Sequence, residues 1–203
     1  MKKVWLVAVF AVIGSCVVIA MSLSVYAKMK AAALPFSADV EFYTEGELEG
    51  DIWRIYATPE AVRIETGRGK DEVGVSFTTI YDLQKMVGYV LEDWHQKYFP
   101  FIIPQHRRGD DLGAWGVPCE TRFSLATPLG SDTLRGRETE KWRCTDESEN
   151  CFMQCSMIVW FDTRLQRTIR YEYEDEDHYM EMTNIKEGPQ PESLFAVPPD
   201  YSR

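Results

Sequence analysis

The residues that could carry catalytic chemistry are few in this 203-residue chain and stand far apart. Its three histidines are His95, His106 and His178, and no two of them are neighbours in sequence. The chain contains no pattern typical of a nucleophile elbow, a phosphate-binding loop, a zinc site or a haem attachment. A Ser–His–acid triad can assemble from distant positions, but nothing in the sequence indicates one. We therefore expect a non-enzymatic protein without a cofactor.

Four of the five cysteines lie in the second half of the chain, and they predict disulfide bonds. They are Cys119, Cys144, Cys151 and Cys155. In an oxidising compartment an even number of cysteines is typical of a disulfide framework, here of two bonds. A hairpin of the predicted strands 141–144 and 155–160 would place Cys144 near Cys155. We therefore favour pairing Cys144 with Cys155 or with Cys151 over pairing Cys151 with Cys155.

Two features of the sequence could bind metal ions, and for both we favour a structural interpretation. Cys151 and Cys155 stand close to Met153 and Met157, and soft sulfur ligands of this kind suit Cu(I). A disulfide beside core methionines explains the same residues without a metal. The acidic run 172–178 could offer oxygen ligands to calcium, but it lacks the glycine at the sharp bend of an EF-hand loop. A solvated hairpin turn is expected there, and we predict no metal site.

The net charge of −10 argues against nucleic acid as a partner. Phosphate backbones are bound by clusters of lysine and arginine, and no basic run in this chain is longer than two residues. An acidic surface is typical of a soluble domain.

Residues 1–27 predict export of the rest of the chain. Two lysines open this segment, no other charged residue follows in it, and it ends in the small-x-small pattern Val25-Tyr26-Ala27. The ending is typical of a cleaved signal peptide, whereas the length suffices for a retained membrane anchor. A third interpretation takes Cys16 as an acylated lipobox cysteine. All three interpretations place the domain in the periplasm or cell envelope. If the leader is retained, the protein is associated with the inner membrane. Residues 28–35 are predicted to be a tether between the leader and the domain.

Residues 36–201 are expected to form one β-rich domain that positions the remaining side chains. Short runs of aromatic and β-branched residues recur about every ten residues between polar turns. The run 168–173 shows the period-two alternation of a half-buried strand. Such a meander predicts an antiparallel barrel or sandwich. The irregular segment 101–118 is predicted to be a lid, because long loops in compact domains tend to bind or cover ligands. The predicted strands are 36–43, 52–56, 62–65, 76–81, 86–91, 97–99, 120–125, 137–144, 155–161, 168–173 and 178–185, with a turn at 127–130.

Five short motifs, in this order along the chain, resemble the periplasmic lipoprotein-carrier (Lol-type) superfamily and its outer-membrane lipoprotein-sorting relatives. They are Phe36-Ser-Ala-Asp39, Ile80-Tyr-Asp-Leu83, Trp160-Phe-Asp162, Asn184-Ile-Lys-Glu187 and Leu194-Phe-x-Val-Pro198. The resemblance implies a mostly β fold: a strongly curved antiparallel sheet, or half-open barrel, with few short helices. It further implies that the concave side holds a lipid or acyl chain, and it brings no catalytic residues.

The aromatic residues of such a curved sheet could line a ligand cavity. Burying an acyl chain there would gain about 0.8 kcal/mol per methylene. We therefore predict a non-enzymatic envelope protein that binds a lipid or a lipoprotein acyl chain. The alternative is a solid sheet that serves as a structural or regulatory interaction domain and binds an envelope protein partner. The predicted lining residues are Trp53, Ile55, Ile80, Tyr89, Trp142, Trp160 and Tyr171.

Overall fold

Twelve β-strands and one short 3-10 helix make up the part of the chain that the computed structural model describes. That part comprises residues 34–50, 52–66, 77–103, 119, 125–145 and 156–203. The 3-10 helix is Glu192–Phe195. The strands are β1 Phe36–Thr44, β2 Glu47–Leu48, β3 Trp53–Ala57, β4 Ala61–Glu65, β5 Phe77–Asp82, β6 Val87–Glu92, β7 Lys97–Ile102, β8 Leu125–Leu134, β9 Arg137–Thr145, β10 Ser156–Asp162, β11 Arg167–Tyr173 and β12 His178–Glu187.

All twelve strands belong to one antiparallel sheet. Its order is β7-β6-β5-β4-β3-β1-β12-β11-β10-β9-β8, and β2 pairs with β1 alone. The first and last strands of the domain, β1 and β12, meet in the middle, so two meanders extend outward from the centre. The sheet ends at β7 on one side and at β8 on the other and does not close. This architecture confirms the predicted mostly β, strongly curved half-open barrel.

Three hairpin turns are built on the same local design. In each of these turns a residue with a carboxylate side chain ends the first strand, and the fourth residue of the turn adopts a left-handed backbone conformation. The fourth residues are Met86 (φ 55°), Gln96 (φ 49°) and Gln166 (φ 54°). In the β5–β6 turn, Asp82 Oδ1 accepts a hydrogen bond of 2.8 Å from the Lys85 N–H. In the β10–β11 turn, Asp162 Oδ1 accepts the Leu165 N–H at 2.8 Å. Such side-chain bonds favour a turn over continued strand.

Both edge strands contain a proline, and the sequence-based boundaries were wrong at both. The predicted turn 127–130 is part of β8, where Pro128 lies opposite Trp142 and the register shifts between Pro128 and Gly130. Pro100, predicted to end its strand, lies inside β7 opposite Tyr89. An edge strand tolerates proline because one row of its N–H groups has no ladder partner, and a bulge absorbs the irregular geometry.

The disulfide joins Cys119 to Cys144, with Cα atoms 5.4 Å apart, so the predicted pairing of Cys144 was wrong. The predicted β9–β10 hairpin does form, and Cys144 lies opposite Met157 within it. However, β8 runs along the other side of β9 and places Ala126 opposite Cys144. Cys119, six residues before the start of β8, forms its disulfide with Cys144 and not with a cysteine of the β9–β10 loop. Cys151 and Cys155 lie outside the described residues.

The C-terminal segment covers the outer face of the β4–β6 region. The 3-10 helix lies against β4 and β5, and Arg63 Nη1 donates a 3.0 Å hydrogen bond to the Leu194 carbonyl. Ile80 and Leu91 lie on this side of the sheet and are buried. At the end of the chain, Ser202 forms a parallel bridge with Lys97 of the edge strand β7.

Within the described ranges, no helix is both long enough and apolar enough to cross a membrane. The predicted leader 1–27, most of the tether and most of the predicted lid 101–118 lie outside these ranges.

Candidate binding face of the curved sheet

One face of the sheet carries the apolar core, and we call its fully buried centre the floor. Period-two alternation in β1 turns Phe36, Ala38 and Val40 toward this face and Asp39 and Glu41 toward the other. The cluster that contains the floor extends from Val62 of β4 to Leu165 of the β10–β11 turn, and we refer to this apolar face as the concave one. Burying each large apolar side chain stabilises the fold by roughly 1.5–3 kcal/mol. The floor consists of Phe36, Val40, Ile55, Met180 and Met182, each at most 2% exposed.

The concave face becomes accessible along strands β5 to β7, which we call the β5–β7 arm. Phe77 is 43% exposed and Phe99 52% exposed, although both are large apolar side chains. The half-buried rings of Tyr81 and Phe101 lie beside them, edge to face with centroids 5.8 Å apart. Exposed apolar groups on a concave surface are typical of a binding site. The arm ends beside Phe77 in the charged residues Glu92 and Lys97.

Gly88 shapes this arm because the Phe101 ring lies directly over its backbone. A Cβ atom on Gly88 would be 2.1 Å from Phe101 Cζ, far inside van der Waals contact. A glycine inside a strand often marks such a close approach. Phe101 is also the first residue of the predicted lid, so the first residue of that segment is held in β7 by its pairing with Gly88.

The opposite side of the concave face, strands β9 to β11, forms a second apolar region, the β9–β11 arm. Cys144, Met157, Val159 and Tyr173 are buried there, and half-buried Trp142 packs against them. Tyr171 contacts both this cluster and the floor cluster, so the two apolar regions are continuous. The Nε1 atom of Trp142 is buried, and within the described part of the chain it has no hydrogen-bond partner.

The structure divides the seven predicted lining residues between the two faces. Trp53, Ile55, Trp142 and Tyr171 lie on the concave face. Of these, Ile55 is in the floor, whereas the other three are half-buried around it. Trp53 meets Phe42 edge to face at a centroid distance of 4.8 Å.

The other three predicted residues, Ile80, Tyr89 and Trp160, lie on the outer face. Ile80 is opposite both Arg63 and Tyr89 in register, on the side that the C-terminal segment covers. Trp160 lies between the cations Lys141, 4.4 Å from its ring centroid, and Arg170, 5.1 Å away. These residues therefore cannot line the concave face. A binding role for the four concave residues stays a prediction.

Sequence reasoning missed Phe77, Phe99 and Phe101 as lining residues. The available signal was Gly88, a glycine inside an otherwise apolar strand, which indicates that a neighbouring side chain crosses the backbone. The pairing of β6 with β7, which identifies that side chain as Phe101, is a tertiary fact.

The outer face around β1 and β12 is polar, in contrast to the floor behind it. Tyr43 donates a 2.7 Å hydrogen bond to Glu41, which raises the pKa of Tyr43 to about 12. Burial raises the pKa of Asp39, but hydrogen bonds from Asn184 and Arg54 outweigh it and leave that pKa below its ordinary value. Glu181 is buried and accepts hydrogen bonds from Arg135 and Arg170. This face is built from internally paired polar groups.

A cavity of about 180 Å³ opens where the β8–β9 turn approaches β12. It is lined by Leu134, Arg135, Ile169 and Met182, among others. Arg135 is engaged with Glu181. The cavity is far smaller than a typical ligand pocket of about 300–1,000 Å³.

Among the described residues, no group of three or more histidine, cysteine, aspartate or glutamate side chains could hold a metal ion. In the acidic turn after β11, Glu174 is bound by Ser156 and forms a 2.9 Å ion pair with Arg143. The hydrogen bond from Ser156 holds the pKa of Glu174 below its usual range.

Comparison with known proteins finds relatives by structure alone. No protein-family model matches the sequence, and no curated protein matches it either. An uncharacterized conserved protein from Thermus thermophilus has a similar structure, with a TM-score of 0.54 and 15% identity. The match covers 83% of this chain and 88% of that one.

The complex of MucA and MucB from Pseudomonas aeruginosa contains a similar chain, with a TM-score of 0.50 and 13% identity. The match covers 83% of this chain but 57% of that one. A LolA superfamily protein from Nitrosomonas europaea is also among the structural matches. Its TM-score is 0.34 at 8% identity, over 81% of this chain and 90% of that one. Likeness at these identities concerns the fold, and one fold can serve many functions.

Proposed function

We propose that this chain is a non-enzymatic protein of the cell envelope that holds a lipid or a lipoprotein acyl chain on its concave face. One observation carries the proposal. Exposure of the apolar side chains rises from at most 2% on the floor to 43% at Phe77 and 52% at Phe99 on the β5–β7 arm. Trp94 and Ile102 are more exposed, but they lie on a turn and on the outer face. Phe77 and Phe99 share the concave face with the rings of Tyr81 and Phe101, and exposed apolar groups that are grouped on a concave surface are typical of a binding site.

The expected ligand is long, because only a long chain outweighs the loss of freedom on binding. Association costs about 4–15 kcal/mol in translational and rotational freedom. At about 0.8 kcal/mol per methylene, eight buried carbons would gain about 6 kcal/mol and sixteen about 13 kcal/mol. Chains of about sixteen carbons should therefore bind more tightly than chains of about eight, by about 6 kcal/mol.

Export to an oxidising compartment belongs to the same proposal. The leader 1–27 predicts it, and the Cys119–Cys144 disulfide is the kind of bond that persists in such a compartment. A retained leader would hold the domain at the inner membrane, close to a source of lipid.

The second candidate function is that of a regulatory or structural domain which binds an envelope protein. The likeness to a chain of the MucA/MucB complex favours it, because that fold takes part in a complex between proteins. In this case Phe77 and Phe99 would meet apolar residues of a partner.

Native mass spectrometry of the gently extracted full chain distinguishes the two functions. The test variant is Phe99→Ser, and the matched control is Ile102→Ser, which changes an 80% exposed residue on the other face of the same strand. The acyl-chain proposal predicts lipid on the wild type and on Ile102→Ser and its loss from Phe99→Ser. A lipid-free protein that binds a second chain through Phe99 would support the partner function. A lipid-free protein without a partner would contradict both.

A further inference from the structure

We infer that Trp142 is the polar anchor of the concave site and that its ligand carries a neutral ester carbonyl next to the alkyl chain, as in an acyl glycerol. This inference rests on the proposed function and specifies the chemistry of the ligand. The indole N–H of Trp142 would donate a hydrogen bond to the carbonyl oxygen.

Trp142 holds a buried hydrogen-bond donor. Its Nε1 atom is shielded from solvent, and no group among the described residues accepts a hydrogen bond from it. In register, Trp142 lies opposite Val159 on one side and Pro128 on the other, so neither neighbouring side chain offers an acceptor. An unsatisfied buried N–H costs about 1–3 kcal/mol. Folded proteins rarely leave one without a reason.

Trp160 on the next strand differs from Trp142, because the chain provides a hydrogen-bond acceptor for its indole N–H. Trp160 Nε1 on the outer face donates a 2.9 Å hydrogen bond to Asp132 Oδ2. In the described ranges, Arg170 Nε is a second buried side-chain atom without a partner, but that guanidinium bonds Glu181 and Glu172 through its remaining nitrogens. It also stacks on two aromatic rings, which explains the orientation of Nε. Trp142 has no such explanation.

The position of Trp142 within the site makes the donor useful to a ligand. Trp142 packs against the buried cluster of the β9–β11 arm, and Tyr171 connects that cluster to the floor. An alkyl chain on the concave face would therefore approach the indole, and a carbonyl at the end of the chain would supply the missing acceptor.

The surroundings favour an uncharged acceptor over a carboxylate. Glu140 lies two residues before Trp142 on the same face of β9, and its carboxylate would repel a fatty-acid anion. Cys144 and Met157, which pair beside Trp142, offer no cation that could compensate a buried negative charge. An ester carbonyl accepts the hydrogen bond without that penalty.

The test compares two probes that differ only at the carbonyl: monopalmitoylglycerol, an ester, and 1-O-hexadecylglycerol, its ether analogue. Binding to the full chain is measured by isothermal titration for the wild type, for Trp142→Phe and for Trp94→Phe. Trp94 is the control because it is 71% exposed in the β6–β7 turn. The wild type and Trp94→Phe should bind the ester about 10-fold more tightly than the ether, the effect of one net hydrogen bond. In Trp142→Phe the two probes should bind equally.

The outcomes separate this inference from the proposed function. If the wild type binds ester and ether equally, the anchor is refuted although the acyl-chain function stands. If the wild type binds neither probe, the proposed function itself fails. Nuclear magnetic resonance of the labelled indole N–H requires no variant: the Trp142 signal should move downfield with the ester and not with the ether. A downfield signal already present in the ligand-free protein would also overturn the inference.

Discussion

Replacing Gly88 by alanine tests the packing that shapes the β5–β7 arm. The new Cβ would lie 2.1 Å from Phe101 Cζ and within 2.6 Å of both Cε atoms, whereas carbon atoms make contact at about 3.5–4.0 Å. The Phe101 ring must therefore move by more than an ångström and give up its edge contact with Tyr81. Overpacking of this kind costs about 1–3 kcal/mol.

The gain from replacing a glycine offsets part of this cost. Alanine restricts the unfolded chain and stabilises a compatible site by about 0.4–1 kcal/mol. The expected net loss is therefore about 1–2 kcal/mol in the free energy of unfolding. Urea denaturation should show a lower midpoint with an unchanged slope, because the surface exposed on unfolding hardly changes.

Two further variants make the result interpretable. Gly50→Ala is the control, because a Cβ there would meet nothing within 4 Å, and its stability should be unchanged or higher. The double variant Gly88→Ala with Phe101→Ala should be less destabilised than the sum of the two single variants, since removing the ring removes the clash. Additive effects, or a Gly88→Ala protein as stable as the wild type, would refute the proposed packing of the arm.

Three other predictions concern the turns and the outer face. Asp162→Ala should lower the free energy of unfolding by about 2 kcal/mol, measured by urea denaturation, because it removes one of the two carboxylates that Arg137 binds and frees the turn N–H groups. Gln96→Gly should raise that free energy by about 1 kcal/mol and raise the melting temperature, because glycine adopts the left-handed backbone there without strain. Tyr43 and Tyr201 have pKa values raised to about 12 by hydrogen bonds to carboxylates. The stability that these two bonds contribute is complete below about pH 10, the ordinary tyrosine pKa, and is lost as the pH rises through 12. Ultraviolet titration of tyrosinate should show two late-titrating groups. Tyr43→Phe should remove one of them and Tyr201→Phe the other.

The sequence predicted most strands because each is a local pattern. The alternation of Ala38, Val40 and Phe42 with acidic residues identifies β1 without any knowledge of its neighbours. β8 failed the same reasoning, since Pro128 and Gly130 are turn residues in most contexts. Only the position of β8 at the edge of the sheet, set by the order of all strands, permits both residues inside a strand.

The candidate site was only partly predictable because alternation does not identify which face is concave. Ile80 and Tyr81 are adjacent residues with equally suitable side chains, yet Tyr81 belongs to the concave face and Ile80 to the outer one. The C-terminal segment decides this difference, since it buries Ile80 from a distance of more than a hundred residues in sequence. The disulfide failed for a related reason: the strand that brings Cys119 to Cys144 was the one that the prediction missed.

The sheet protects both of its edges, whereas part of its concave face stays accessible. Unpaired edge strands attract other strands, and natural sheets disrupt or cover them. Here β7 contains Pro100 and is bridged by Ser202, while β8 contains Pro128 and a register shift. Neither device covers the concave face of the β5–β7 arm. Phe77 and Phe99 remain exposed there beside a fully buried floor, and this is the surface that the proposed ligand or partner would cover.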